Sequence, residues 1–235
     1  MENIATNLAH VRDVIATAAA AANRNAKEIK LIAVSKTKPL AAVEAAVTAG
    51  QTVFGESTVQ EAFTKIPHFR PRGIEWHFIG HLQSNKVRFI PGNFSWVHSI
   101  DSARLAQRLS RLAQAQGVVI NALVEINITR DPDKHGIAPE QLFPVLGELR
   151  KEALPGIALR GLMTIGPHPA DTTERRAAFA RVRQLRDETV RRFALPHFTE
   201  LSMGMSGDYA EAIREGSTMI RVGSEIFGER NYGDR

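Results

Sequence analysis

Short runs of apolar, β-branched and aromatic residues recur along the chain, each bounded by polar or turn-forming positions. They are LIAVSK (31–36), TVFGE (52–56), EWHFIG (75–80), WVHSI (96–100), NALVEIN (121–127), IALRGLMTIG (157–166), TELSMGM (199–205) and MIRVGSEIFG (219–228). Between them apolar positions fall at helical spacing, as in LAAVEAAVTAG (40–50), SARLAQRLSRLAQAQG (102–117), PEQLFPVLGELRKEALPG (139–156), the stretch 173–193 and DYAEAIREG (208–216). The pattern predicts eight strands alternating with helices.

Capping residues support these boundaries. Asp101 or Ser102 precedes the helix over 103–116, and Asp171 to Thr173 precede the helix over 174–193. Gly50, Gly117 and Gly216 follow helical stretches, where a C′ glycine is favoured. Eight parallel strands with crossover helices close naturally into a (β/α)8 TIM barrel. A doubly wound open sheet more often carries a GxGxxG turn after its first strand, and here that strand ends SKTKP. Without a linker, repeat or low-complexity block, residues 1–235 read as a single domain.

Composition then narrows the chemistry. Cysteine is absent, which excludes disulfides, cysteine-ligated zinc, iron–sulfur clusters and thiol nucleophiles. Residues 1–25 carry Asn3, Asn7, Arg12 and Asp13 among apolar positions and read as an extra amphipathic N-terminal helix, not a signal peptide. The longest clean apolar run, residues 16–22, is far short of the roughly 20 residues of a membrane span. A soluble, cytoplasmic protein without a membrane partner is expected. The net charge of +5 suits anions of any size. The densest basic stretch, 175–192, includes Asp187 and Glu188 and follows Glu174, so it reads as a solvated helix face and not a nucleic-acid surface.

The active face of such a barrel lies at the C-terminal ends of its strands, with a phosphate often held after strands seven and eight. Lys36 stands where the first strand ends, behind LIAVS. Partial burial there disfavours the ammonium, and a neutral lysine amine attacks aldehydes. Taken alone, a lysine there reads more often as an ordinary charge where a strand emerges into solvent, while Lys38 divides evenly between a surface lysine and a supporting cation. Ser206 and Gly207 precede the helix near Asp208, while Gly223 and Ser224 follow the core of the eighth strand. Each pair alone reads as a turn or cap, but two at adjacent strand ends form an anion cradle. Arg221, two residues before Gly223, shares its face and needs an anion or strong acceptor if buried. His77 and His81 have i, i+4 spacing but flank a strand end and lack a third ligand, so no metal site is expected. Asn85 and Lys86 are expected to open a helix after the third strand, and Lys134 and Gly136 lie in the loop after the fifth, read either as a ligand gate or as a plain surface loop.

Lys36 in LIAVSKTKP, HFIGHLQSNK (77–86), GLMTIG (161–166), LSMGMSGDYAEAI (201–213) and GSTMIRVGSEIFGER (216–230) fall at five strand ends in order. Over nearly its whole length the chain resembles the pyridoxal phosphate homeostasis family. The resemblance implies a barrel of the alanine racemase N-terminal type (fold-type III) and pyridoxal 5'-phosphate held as a Schiff base on Lys36. It places Ser206, Gly223 and Ser224 on the phosphate and Arg221 near the ring or phosphate, with Met163, Ser57 and His81 completing the cofactor contacts. The family commonly reads GENYVQE where this chain reads GESTVQE, so Ser57 and Thr58 stand in place of an asparagine and a tyrosine. That exchange removes an amide and an aromatic wall beside the cofactor.

A role in vitamin B6 homeostasis and cofactor delivery, without catalytic turnover, follows as the expectation. No carboxylate is suited to protonate the ring nitrogen, and an arginine there weakens the electron sink. Racemases of this fold class resemble longer chains whose second domain supplies a tyrosine, whereas the tyrosines here are Tyr209 and Tyr232. A weak amino-acid racemase using the same lysine, and an aldolase in which Lys36 attacks a sugar-phosphate carbonyl, stay as alternatives. Apo-enzymes that receive the cofactor are the expected protein partners, and a monomer is the expected state.

Overall fold

The computed structural model describes residues 3–229. Its strands are β1 (Lys30–Val34), β2 (Val53–Glu56), β3 (Glu75–Phe78), β4 (Trp96–Ile100), β5 (Ile120–Ile126), β6 (Ile157–Thr164), β7 (Glu200–Met205) and β8 (Met219–Val222). Each pairs in parallel with its sequence neighbours, and β8 closes on β1. The helices are α1 (Ile4–Ala21), α2 (Leu40–Thr48), α3 (Val59–Phe69), α4 (Ala103–Ala115), α5 (Leu142–Leu149), α6 (Thr172–Phe193), α7 (Tyr209–Arg214) and α8 (Ser224–Phe227). The expected (β/α)8 barrel and its extra N-terminal helix are both present.

Local chemistry explains the ends of the helices. Asn3 accepts from the Thr6 N–H at 3.2 Å to start α1. Ser102 accepts from the Leu105 N–H at the start of α4, and Asp171 with Glu174 forms a reciprocal capping box on α6. Leu8, Val11, Ile15 and Ala18 recur at helical spacing on α1 and are buried against α2, α7 and α8. Asn7 ties this helix to α8 by donating to the Ile226 carbonyl at 3.0 Å.

Two apolar layers hold the barrel. The outer one lies between strands and helices and includes Phe54, Phe78, Phe179 and Phe198, all essentially inaccessible. Burying each such side chain contributes about 1.5–3 kcal/mol. The inner layer is small: Ile32, Trp96, Leu123, Met163 and Met219, with Val53 packed against them. Aliphatic residues ordinarily fill a barrel lumen. Here polar side chains occupy much of the remaining space.

The structure corrects four expected boundaries. Strand one stops at Val34, which leaves Lys36 in a turn whose next residue, Thr37, has φ +65°. Strand eight stops at Val222 because Gly223 turns the backbone out of the sheet, and SEIF then forms α8. Asn85 and Lys86 open no α-helix; a 3-10 turn over Val87–Phe89 replaces it, since Pro91 and Gly92 close the segment after one turn. The helix expected over 139–156 is a 3-10 turn followed by the short α5.

Candidate functional site

A cavity of about 320 Å³ opens at the C-terminal ends of the strands. The β1 turn contributes Lys36 and Lys38, β6 and the residue after it contribute Met163 and Ile165, and the end of β7 and its turn contribute Met205, Ser206 and Gly207. From β8 and its turn come Arg221, Gly223 and Ser224. Six of the expected site residues thus meet around one cavity: Lys36, Met163, Ser206, Arg221, Gly223 and Ser224. Ser57, half-buried between β2 and α3, and His81 are not among its lining residues.

His81 lies in the loop after β3 and stacks on His135 with ring centroids 3.7 Å apart. Burial, then the neighbouring His135, holds its pKa below the usual histidine range. His77 belongs to the lumen, fully buried, so the i, i+4 spacing places the two rings in different surroundings. Among the described residues no cluster of three or more potential metal ligands occurs. Lys38 donates to the carbonyls of Gly228 and Glu229 at 3.0 and 2.7 Å, tying the β1 turn to the chain beyond α8. The loop carrying Lys134 is organised by Asn127, whose amide donates to the Asp131 and Lys134 carbonyls.

Two glycines shape the cavity wall. At Gly223, which lines the cavity, a Cβ would meet Val34 first, with its carbonyl oxygen 3.2 Å away. Gly204 has φ +98°, and a Cβ there would stand 2.7 Å from that of Ala212; glycine lets α7 close tightly on β7. The turn is fixed by Asp208, whose Oδ1 accepts from the Met205 N–H at 2.6 Å.

Beneath Lys36 lies an ionic cluster that sequence reading did not find. Lys65 is 3% exposed and donates to the Ser35 carbonyl (2.7 Å), Glu56 Oε1 (2.8 Å) and Glu61 Oε1 (2.7 Å). Ser35 Oγ donates to Glu56 Oε1 at 2.6 Å, and the Thr37 N–H donates to Glu61. Of the two neighbours of Lys36, Ser35 is therefore held by Lys65 and Glu56, and Thr37 by Glu61, which Lys65 in turn holds. Burial raises the Glu56 pKa, with Lys65 and Ser35 opposing the rise. Its second oxygen is buried without a protein partner among the described residues.

Arg221 is buried in the wall. Burial lowers its pKa to about 10, with Asp208 and Glu125 opposing, and it is still cationic at neutral pH. Burial likewise raises Asp208, and it raises Glu125 to about 7. Glu125 follows Leu123 by two on β5 and shares its inward face, a relation that strand alternation could have revealed. A carboxyl whose folded pKa exceeds its unfolded value binds more protons when folded, so stability falls as pH rises from about 4.5 to about 7. Replacing Glu125 by Gln is expected to flatten the denaturant-midpoint profile across that window and to raise stability at pH 8 by about 1–3 kcal/mol. A profile identical to that of the wild type contradicts this.

The chain's fold and site define a barrel with a cofactor-sized cavity, a lysine at the end of β1 and backbone turns at the ends of β7 and β8. The family model described as alanine racemase, N-terminal domain, matches residues 6–231. A pyridoxal phosphate homeostasis protein of Haemophilus influenzae is 43% identical over 233 residues, covering 98% of this chain and 97% of that protein. One of Escherichia coli K12 is 44% identical over 239 residues, covering both chains completely. The solved structure of PipY from Synechococcus elongatus, with pyridoxal phosphate bound, superposes with a TM-score of 0.84 at 38% identity, covering 96% of this chain and all of that one. The chain belongs to the pyridoxal phosphate homeostasis protein family, within the alanine racemase N-terminal class.

Proposed function

We propose that this protein binds pyridoxal 5'-phosphate in the cavity at the C-terminal mouth of the barrel and holds it for intracellular vitamin B6 homeostasis. The observation that carries the reading is the convergence of Lys36, the buried Arg221 and two backbone turns on a single cavity. The donor set fits the cofactor. Space at Gly207, where a Cβ would meet nothing within 4 Å, and the bare backbone at Gly223 leave room for a phosphate against N–H groups and the Ser206 and Ser224 hydroxyls. Lys36 would supply the amine that condenses with the aldehyde, Met163 and Ile165 would wall the ring, and Arg221 would meet its polar edge. Ser57 and His81 belong to the outer surroundings of that site. The cofactor supplies a reactive aldehyde and, in enzymes that protonate its ring nitrogen, an electron sink.

Carriage without turnover is the favoured mode. Arg221 keeps its proton at physiological pH and does not hand one to the ring. Tyr209, the kind of residue a racemase uses as acid or base, is 4% exposed and donates to Glu225 Oε2 at 2.9 Å, and burial raises its pKa. Tyr232 lies outside the described residues. Among the described residues no helix is long and apolar enough to cross a membrane. The reading includes a cytoplasmic site of action, one barrel domain over 1–235, and apo-enzymes as recipients.

Parallel titrations with pyridoxal phosphate and pyridoxal test the phosphate cradle. Ser206→Ala is expected to weaken binding of the phosphate ester about tenfold and to leave pyridoxal unaffected, the loss of one hydrogen bond to a charged group. Equal loss for both ligands contradicts the cradle. Deuterium exchange at the α-carbon of added amino acids separates carriage from weak racemisation.

A further inference from the structure

The barrel lumen holds a continuous hydrogen-bonded chain that crosses from one mouth to the other. It begins at the N-terminal ends of β1 and β3, where Lys30 Nζ and Glu75 Oε1 are 2.7 Å apart and about one-third exposed. His77 Nε2 is 2.7 Å from the same Glu75 oxygen, and His77 Nδ1 is 2.8 Å from His98 Nε2. His98 Nδ1 is 2.9 Å from Ser202 Oγ, which accepts from Arg221 at 2.8 Å. A second Arg221 nitrogen donates to the Thr164 carbonyl at 2.9 Å. His77, His98 and Ser202 have no solvent exposure, and the His77 ring stacks on Trp96 at 5.4 Å.

The chemistry of the two ends fixes the direction of every hydrogen. Glu75 is held as a carboxylate, first by its hydrogen bond from His77 and also by Lys30, with a pKa of about 2. It only accepts, so His77 carries its proton on Nε2. Burial keeps His77 neutral, with a pKa of about 4, and pushes His98 well below the usual histidine range. His77 Nδ1 is therefore an acceptor and His98 Nε2 a donor, which leaves His98 Nδ1 to accept the Ser202 hydroxyl proton. Arginine only donates, and the lone pairs of Ser202 receive it. Reversing one tautomer sets donor against donor or acceptor against acceptor in a dry lumen.

We propose that Ser202, His98, His77 and Glu75 form a positioning relay that holds Arg221 in one orientation and couples its electrostatic state, across the barrel, to the carboxylate at the opposite mouth. The proposal rests on the cofactor reading in one clause only: Arg221 transmits the relay to the ring of pyridoxal phosphate. Aliphatic filling satisfies a barrel lumen at lower desolvation cost. An unbroken, uniformly directed chain that ends on the buried arginine of the cavity wall is what a positioning device requires.

The test uses two variants that leave the cavity lining untouched, Ser202→Ala and Glu75→Gln, with Ser202→Thr to restore the hydroxyl and thermal melts to report folding. In ligand-free protein, nitrogen-15 spectra are expected to show both histidines as neutral Nε2–H tautomers. The Arg221 side-chain N–H groups are expected to exchange about tenfold faster in Ser202→Ala than in wild type or Ser202→Thr, as loss of a buried hydrogen bond implies, and about threefold faster in Glu75→Gln, whose neutral amide accepts from His77 more weakly than the carboxylate. With ring-labelled pyridoxal phosphate added, both variants should shift the ring-nitrogen resonance and lower affinity about three- to tenfold, while borohydride still fixes the cofactor to Lys36. Folded variants with unchanged Arg221 exchange overturn the relay whatever the cofactor does. Faster exchange with an unmoved ring resonance overturns its reach to the cofactor. A wild-type protein with the expected tautomers and exchange that takes up no pyridoxal phosphate overturns the cofactor reading and supports the relay as a device acting on Arg221.

Discussion

Lys36→Ala protein mixed with pyridoxal phosphate is expected to show no protein-bound absorption band that borohydride reduction fixes, and to bind the cofactor about 100-fold more weakly than wild type. In the proposed site an imine on Lys36 would be the covalent part of the interaction, and its loss would leave the phosphate cradle and Arg221 to hold the ligand; a hundredfold change corresponds to about 2.7 kcal/mol. Lys36 occupies a turn beyond β1, and a thermal melt of the variant separates loss of the imine from loss of folding. A reducible band of full strength in the variant would place the imine on another lysine. The aldolase alternative predicts instead that a sugar-phosphate carbonyl is trapped on Lys36 by borohydride in preference to pyridoxal phosphate.

Lys65→Met is expected to cost about 3–5 kcal/mol of stability, because it removes the buried cation paired with the fully buried Glu56. For a chain of this size that corresponds to a fall of roughly 6–20 °C in melting temperature. The sign with pH follows from Glu56, whose pKa is already raised in the folded protein. Without Lys65 it rises further, so protonation relieves the buried charge and the variant recovers stability as pH falls. Adding Glu56→Gln should restore part of the loss, which a double-mutant cycle measures. The substitution also releases the Ser35 carbonyl and one restraint on Glu61, which holds the Thr37 N–H. Borohydride trapping on Lys36 should therefore slow even at temperatures where the variant is folded. A variant that melts with wild type, or one that melts early but traps cofactor at the wild-type rate, contradicts one half of this account each.

The barrel was legible because strands buried on two faces announce themselves as apolar runs, and all eight stand where the hydrophobic pattern places them. Their ends were less legible. SEIF reads as strand by composition, but Gly223 turns the backbone and the segment becomes a helical turn. HLQSNK reads as a helix start, but Pro91 and Gly92 leave room for one 3-10 turn only. At the site, lysine, arginine and the Ser–Gly turns were found because each sits at a strand end, where the fold puts function. The departure at Ser57 and Thr58 has a structural answer: Thr58 caps α3, accepting from the Glu61 N–H, and so supports the helix that carries Glu61 and Lys65.

The lumen was not legible. Glu75, His77, His98, Ser202 and Arg221 come from four strands, and only barrel closure and register bring them into line. His77 was paired in sequence with His81 because i, i+4 spacing matters on a helix; on a strand, even spacing gives the same face only while the strand lasts, and β3 ends at Phe78. Lys65 escaped notice for a different reason. It lies on α3 four residues after Glu61, a spacing that reads as an ordinary surface ion pair. Only its burial against Glu56 and the β1 turn makes it structural.

The central claim is that Lys36 carries pyridoxal phosphate. Borohydride reduction of the wild-type protein with one equivalent of pyridoxal phosphate, followed by proteolysis and mass spectrometry, tests it most directly. The account predicts a single reduced pyridoxyl adduct on the peptide containing Lys36, lost in Lys36→Ala. An adduct confined to Lys38 or Lys134, or no adduct at all, would contradict it.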